Sequence, residues 1–228
     1  RQRQMCIRDR FITNVQRYDE FVKADAALPS RMLVYGKPGT GKTMLSKYIA
    51  TRLDFPLLTV RCDTLISSLL GQTSKNLRQV FDYVMQRPSV LFLDEFDALA
   101  GARGNERDIG ELQRVVISLL QNMDAASEDT VIIASTNHEQ LLDPAIWRRF
   151  SFRIPMPLPD IHQRELIWKN RLKNMICSDL DLSDLSRKSE GLSGAIIEQV
   201  SLDARRDAVI EGASVINHHK LYLSLIHI

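Results

Sequence analysis

Gly36-Lys37-Pro38-Gly39-Thr40-Gly41-Lys42-Thr43 is a glycine-rich run that ends in an ammonium and a hydroxyl. Its spacing is G-x-x-x-x-G-K-[ST], the pattern of a backbone cradle for phosphate. Glycines let the chain curl around an anion. The N–H groups of Gly39 to Thr43 can then point inward at β-phosphate oxygens, helped by the positive end of a helix dipole. Pro38 has no N–H to give and shapes the loop only. Lys42 is expected to reach the β- and γ-phosphates, and the Thr43 hydroxyl to ligate Mg²⁺. Gly36, Pro38, Gly39, Thr40, Gly41, Lys42, Thr43 and the following Met44 are the expected binding residues for such a ligand. The bland alternative is a chance Gly-rich turn.

A second group of candidates is Val90-Leu91-Phe92-Leu93-Asp94-Glu95, an apolar run that ends in two carboxylates. In a parallel sheet the phosphate cradle lies at that same strand edge. Asp94 is then expected to hold Mg²⁺ through its water shell, and Glu95 to orient and deprotonate an attacking water. Asp94 alone would also serve as a helix N-cap. The cradle is what favours the catalytic reading.

These residues need a scaffold, and the hydrophobic pattern supplies one. Short apolar runs at residues 32–35, 57–60, 90–93 and 131–134 read as strands, with a last short one at 152–154. Helical patterns cover residues 11–27, 42–53, 74–85 and 111–123, and residues 100–110 read as a polar loop. Apolar strands that alternate with helices predict an α/β fold with a buried parallel sheet. After Pro155, Pro157 and Pro159 the pattern changes. Residues 160–174 open with a capping box, Asp160 with Gln163, and helices follow near 182–189 and 193–210. The expected division is an α/β core over residues 11–158, a small helical domain over 159–216 and a tail over 217–228.

The chain has 228 residues, 44% hydrophobic and 25% charged, which excludes disordered, collagenous and fibrous classes. No apolar run approaches the roughly 20 residues of a membrane-spanning helix, and no secretory signal pattern opens the chain. Cys6, Cys62 and Cys177 form no C-x-x-C pair, which argues against a zinc site or a disulfide framework. A reducing cytoplasm is the expected setting.

The formal net charge of +2 rests on the first ten residues. Without them 26 basic residues face 27 acidic ones, which disfavours broad binding to nucleic acid. Those ends are suspect on another ground. Met5-Cys6-Ile7-Arg8-Asp9-Arg10 can be encoded by a string whose reverse complement encodes Leu223-Ser224-Leu225-Ile226-His227-Ile228. Residues 1–10 and 223–228 therefore resemble translated sequencing-library adapter, and the natural chain is expected to continue past both ends.

With these motifs in place the chain resembles the AAA ATPases, a clade of the AAA+ branch of P-loop ATPases, over residues 32–210. Ile133-Ala134-Ser135-Thr136-Asn137 resembles the family's sensor 1 strand, so Asn137 is expected to help position the lytic water. Leu141-Leu142-Asp143-Pro144-Ala145-Ile146-Trp147-Arg148-Arg149-Phe150 resembles its second region of homology, which makes Arg148 and Arg149 the expected arginine fingers. Gly191-Leu192-Ser193-Gly194-Ala195 resembles the sensor 2 turn, where this clade carries alanine, and Ala195 agrees. The resemblance implies the P-loop NTPase-type sheet of order 5-1-4-3-2 with flanking helices and a small all-helical lid. It also implies ATP and Mg²⁺ as ligands and a homo-oligomeric ring, usually a hexamer. A guanidinium offered across such a ring would stabilise the charge on the transferring phosphoryl group, an effect worth about 10³–10⁵ in rate.

This sequence departs from the family pattern at two places. The two arginines are adjacent, where the family often has Pro-Gly between them. An aromatic residue commonly precedes the pore-loop glycine by two positions, and counting back from Gly71 gives Leu69, followed by Leu70. Pore lining and core packing are equal readings of those leucines. The loop at 101–110, with Arg103 and Arg107, reads as solvated. Trp147 and Trp168 read as packing anchors. The expected activity is Mg²⁺-dependent ATP hydrolysis coupled to remodelling or unfolding of a protein partner. A nucleic-acid motor or loader and a non-hydrolysing nucleotide-dependent scaffold are the alternatives.

Overall fold

The computed structural model describes residues 2–67, 70–99, 106–172, 181–216, 221–222 and 225. Leu69, Arg103, Cys177 and the histidines at 218 and 219 lie outside the described residues, so the pore-loop expectation has no structural counterpart here.

The chain divides into two compact units, residues 1–36 with 42–156 and residues 37–41 with 157–228. The first holds a five-stranded parallel sheet of β1 (Arg31–Tyr35), β2 (Leu57–Arg61), β3 (Val90–Asp94), β4 (Val131–Thr136) and β5 (Phe152–Pro155). Its order, β2-β3-β4-β1-β5, is the one the family resemblance implied. Helices α1 (Gln2–Gln16), α2 (Tyr18–Lys23), α3 (Lys42–Leu53), α4 (Cys62–Ser67), α5 (Leu70–Gln86), α6 (Glu106–Ala125) and α7 (Pro144–Arg148) accompany it.

The central strands are apolar at residues 32–34, 90–93 and 131–134 because both faces are covered there, and the period of two sorts their side chains. Leu33, Leu91, Leu93, Ile132 and Ala134 pack on one face with Leu77 and Phe81 of α5 and Val115, Leu119 and Met123 of α6. Met32, Val34, Val90, Phe92, Val131 and Ile133 pack on the other with Phe11 and Ile12 of α1 and Ile49, Ala50 and Leu53 of α3. The register pairs Tyr35 with Thr136 and Arg61 with Asp94, so the strand ends that carry candidate residues fall at one edge.

Two local expectations are corrected. The helix expected over 11–27 is two helices, broken at Arg17 and ended before Asp25, whose φ is 53°. The side chain of Asn14 donates to Leu28 O and Ser30 Oγ, and those bonds fit a chain that doubles back into β1. The polar loop expected through Gly110 ends earlier, since α6 begins at Glu106. A helical glycine costs about 1 kcal/mol, and the buried stripe of Val115, Leu119 and Met123 exceeds that.

In the second unit the described regular elements named by range are helices: α8 (Ile161–Leu172), α9 (Leu182–Lys188) and α10 (Gly194–Ile210). The capping box forms as expected. Asp160 N donates to Gln163 Oε1 at 2.8 Å, and Gln163 N donates to Asp160 Oδ1 at 2.8 Å. Trp168, Leu172, Leu185, Ile197 and Val200 make this unit's core, and Trp168 Nε1 donates to Ser189 Oγ at 3.0 Å.

Candidate functional site

Strand β1 feeds directly into the glycine-rich run, and α3 starts at Lys42. The turn between them needs backbone that side chains resist. Gly36 sits at φ 145°, and a Cβ there would lie 2.2 Å from the Met156 carbonyl oxygen. Gly39 sits at φ 74°, and a Cβ there would lie 2.5 Å from Ser193 Oγ and 2.8 Å from the Ala195 Cβ. Within the second unit Ala195 N donates to Gly39 O at 3.1 Å. Thr40 Oγ1 donates to Lys37 O at 2.8 Å, which closes the tip of the loop. Met44 is exposed.

The first unit gathers the charged candidates. Lys42 is buried, and its Nζ donates to Gly36 O at 2.7 Å. Burial holds its pKa below the ordinary lysine value, against the opposing pull of Asp94, Asp97 and Glu139. Thr43 Oγ1 lies 3.4 Å from Asp94 Oδ2. The other oxygen of Asp94 accepts from Ser135 Oγ and, at 3.1 Å, from Glu95 N. Asp94 is thus fixed from three sides, with one oxygen turned to the first turn of α3.

Glu95 follows at φ 54°, a left-handed conformation uncommon outside glycine. That turn carries the chain from β3 into a 3-10 segment, Phe96–Leu99. Glu95 Oε2 lies 3.3 Å from Arg61 Nη2, and the same guanidinium holds both oxygens of Asp63 at 3.2 and 2.7 Å. Arg61 closes β2, so the two strand ends are joined through these side chains.

Asn137 lies just past β4 and is half-buried. Its backbone N–H donates to Asp97 Oδ1 at 3.1 Å, and Thr136 Oγ1 donates to the same oxygen at 3.0 Å. Thr136 Oγ1 in turn accepts from His138 N at 3.0 Å. Asp97 therefore clamps the end of β4 to the segment after β3.

Lys42, Thr43, Asp94, Glu95 and Asn137 all belong to this strand edge of the first unit. Arg148 and Arg149 make no hydrogen bond or ion pair with them among the described residues. Arg149 instead pairs with Asp124, and Arg148 is exposed. Three participants went unsingled in the sequence. Ser135 had a visible signal, being a hydroxyl two residues before Asn137. Arg61 and Asp97 had only their positions at or just past a strand end. Trp147 packs edge-on against Tyr35, with centroids 5.3 Å apart, as an anchor of α7.

Within the first unit a lysine, a hydroxyl paired with a strand-end carboxylate and a second carboxylate beyond it form a set suited to phosphoryl transfer to water. Residues 32–158 match the family model described as "ATPase family associated with various cellular activities (AAA)". The chain is 38% identical over 200 residues to an uncharacterized AAA family ATPase, y4kL, of Sinorhizobium fredii, covering 88% of this chain and 60% of that protein. It is 34% identical over 204 residues to a proteasome-activating nucleotidase of Methanopyrus kandleri, covering 86% and 47%. A cell division cycle protein 48 homolog of Archaeoglobus fulgidus is 37% identical over 202 residues, covering 86% and 28%. The chain thus spans 60% or less of the length of these relatives.

Proposed function

Because the chain belongs to the AAA family of ATPases, we propose that it is a Mg²⁺-dependent ATPase that works in a ring of copies to remodel or unfold a protein partner. The observation that carries this reading is the approach of Thr43 to Asp94 at the edge where Lys42, Glu95 and Asn137 also lie. The family resemblance supports the ring, with six copies as the expected number. One of the relatives is named for proteasome activation, which favours a protein partner over nucleic acid. Among the described residues no helix is long and apolar enough to cross a membrane.

The donor set suits magnesium. The Thr43 hydroxyl and the Asp94 carboxylate are hard oxygen ligands, and the described residues hold no cluster of three or more His, Cys, Asp or Glu able to cage an ion. Such a site fits a cation that keeps its waters and shares the substrate's phosphates. When bound, that ion neutralises phosphate charge.

The chain's own groups do the rest. Lys42 leaves Gly36 O for the β- and γ-phosphate oxygens. The Asn137 amide and the Glu95 carboxylate orient a water, and Glu95 takes its proton as the water oxygen attacks the γ-phosphorus. The bond from that phosphorus to the bridging oxygen breaks, and ADP leaves with the electron pair. An arginine of a neighbouring copy stabilises the charge spread over the γ-oxygens.

The test is phosphate release by the purified chain with ATP and Mg²⁺, measured over a range of protein concentration. Release that rises faster than concentration is the expected result. Binding without release would leave a nucleotide-dependent scaffold instead.

A further inference from the structure

Arg148 and Arg149 are neighbours in sequence, yet the structure treats them differently. Arg149 is the C-cap residue of α7. Its Nε and Nη2 donate to the two oxygens of Asp124 at 2.9 and 2.7 Å, and its Nη1 donates to Ala145 O at 2.9 Å. Every nitrogen of that guanidinium is engaged. A planar fork on a carboxylate is the strong form of this contact. Arg148 is exposed and has no hydrogen bond or ion pair among the described residues.

Asp124 has a second cation to answer. Arg31 Nη1 lies 4.0 Å from Asp124 Oδ1. Arg31 is only 7% exposed, its Nη2 donates to Ala126 O at 3.3 Å, and its Nε is buried with no partner among the described residues. A buried guanidinium stripped of its counter-charge is strongly destabilising. Asp124 is therefore held at the end of α6 by Arg31 as well as by Arg149. Through Arg149 and Ala145 O it pins the end of α7. The start of α7 is fixed separately, by Asp143 Oδ1 accepting from Ala145 N at 2.6 Å.

Resting on the reading that a neighbouring copy's arginine completes hydrolysis, we propose that the two arginines divide the work: Arg148 alone is offered to the neighbour's γ-phosphate, and Asp124 with Arg149 is the positioning pair that fixes the helix end from which it projects. For Arg149 to reach a phosphate it would have to abandon a bidentate carboxylate and its own helix, and release Asp124 beside Arg31. Arg148 has nothing to abandon.

The experiment compares Arg148→Ala, Arg149→Gln, Asp124→Asn and the Asp124→Asn/Arg149→Gln double variant, with turnover, ATP affinity and Tm measured for each. Arg148→Ala is expected to lose about 10³-fold in kcat with Tm and ATP affinity unchanged. Mixing it with Glu95→Gln copies should restore turnover, since each supplies what the other lacks. Arg149→Gln and Asp124→Asn should each lower kcat by about 10- to 100-fold without raising KM, and lower Tm. The double variant should be no worse than the poorer single. If Asp124→Asn does not fold, Arg149→Gln carries the same test, because it leaves Asp124 facing Arg31. Turnover retained in Arg148→Ala, or lost in Arg149→Gln with Tm unchanged, overturns the division of labour. Wild-type turnover per chain that does not depend on protein concentration instead removes the trans reading beneath it.

Discussion

The guanidinium of Arg61 lies 3.3 Å from the carboxylate of Glu95 while it holds Asp63 with two hydrogen bonds. Glu95 is half-exposed there, so the contact is a screened surface pair that contributes little. A general base contributes far more, about 10²–10⁴ in rate. Glu95→Gln should therefore keep ATP binding and lose at least about 100-fold in turnover. Arg61→Ala should change turnover by less than about 5-fold. Phosphate release at saturating ATP separates the two, and equal losses would mean that Arg61 itself takes part in the chemistry.

Lys42 is buried and bonded to a backbone oxygen of its own loop, with three carboxylates near enough to oppose its loss of charge. Replacing it by alanine removes the cation proposed above to exchange Gly36 O for phosphate. ATP affinity should fall by at least about tenfold, or about 1.4 kcal/mol, as read by titration with a fluorescent ATP analogue. Affinity equal to wild type would remove Lys42 from the cradle.

One oxygen of Asp97 accepts from both Thr136 and Asn137. Asp97→Ala frees the segment that carries the Asn137 amide. Turnover should fall by about 10- to 100-fold with ATP affinity within about twofold, a shift of about 0.4 kcal/mol. A matching loss of affinity would show that the clamp shapes the binding loop rather than the water position.

Gly36 and Gly191 both have positive φ, but only Gly36 is crowded. A Cβ at Gly36 meets the backbone of Met156, whereas one at Gly191 meets nothing within 4 Å. Gly36→Ala should cost about 2–3 kcal/mol from strain and clash together, and Gly191→Ala about 1 kcal/mol from strain alone. Thermal melts should place Gly36→Ala several degrees below Gly191→Ala.

Asp124 is held below the ordinary aspartate range, first by its hydrogen bond to Arg149, with the charges of Arg149 and Arg31 adding to that effect. A carboxylate with a depressed folded pKa stabilises the fold above its unfolded value, near about 3.9, and that contribution disappears as pH falls through the folded value. Wild type should melt above Asp124→Asn at neutral pH, and the two curves should converge as pH falls through the folded value. A gap that persists unchanged in acid would mean that shape rather than charge holds the pair.

The glycine-rich turn from β1 into α3 was legible because its signal is local: eight consecutive residues carry the turn, the lysine and the hydroxyl. The parallel sheet was legible because strands covered on both faces leave unbroken apolar runs, as at Val90–Leu93. Arg61, Asp97 and Asp124 were not, since each meets its partner across 25 to 40 residues of chain. Spacing carries no trace of such pairings. The start of α6 was misplaced because Gly110 looked like a stop, and only the burial of Val115, Leu119 and Met123 outweighs it.

The left-handed backbone at Glu95 has a consequence for anyone who selects this protein for robustness. Glycine would relax that turn at no steric cost, and asparagine tolerates it better than glutamate does. Heat-driven screens should drift toward those residues at position 95 and return a sturdier chain that grips its fuel and never burns it.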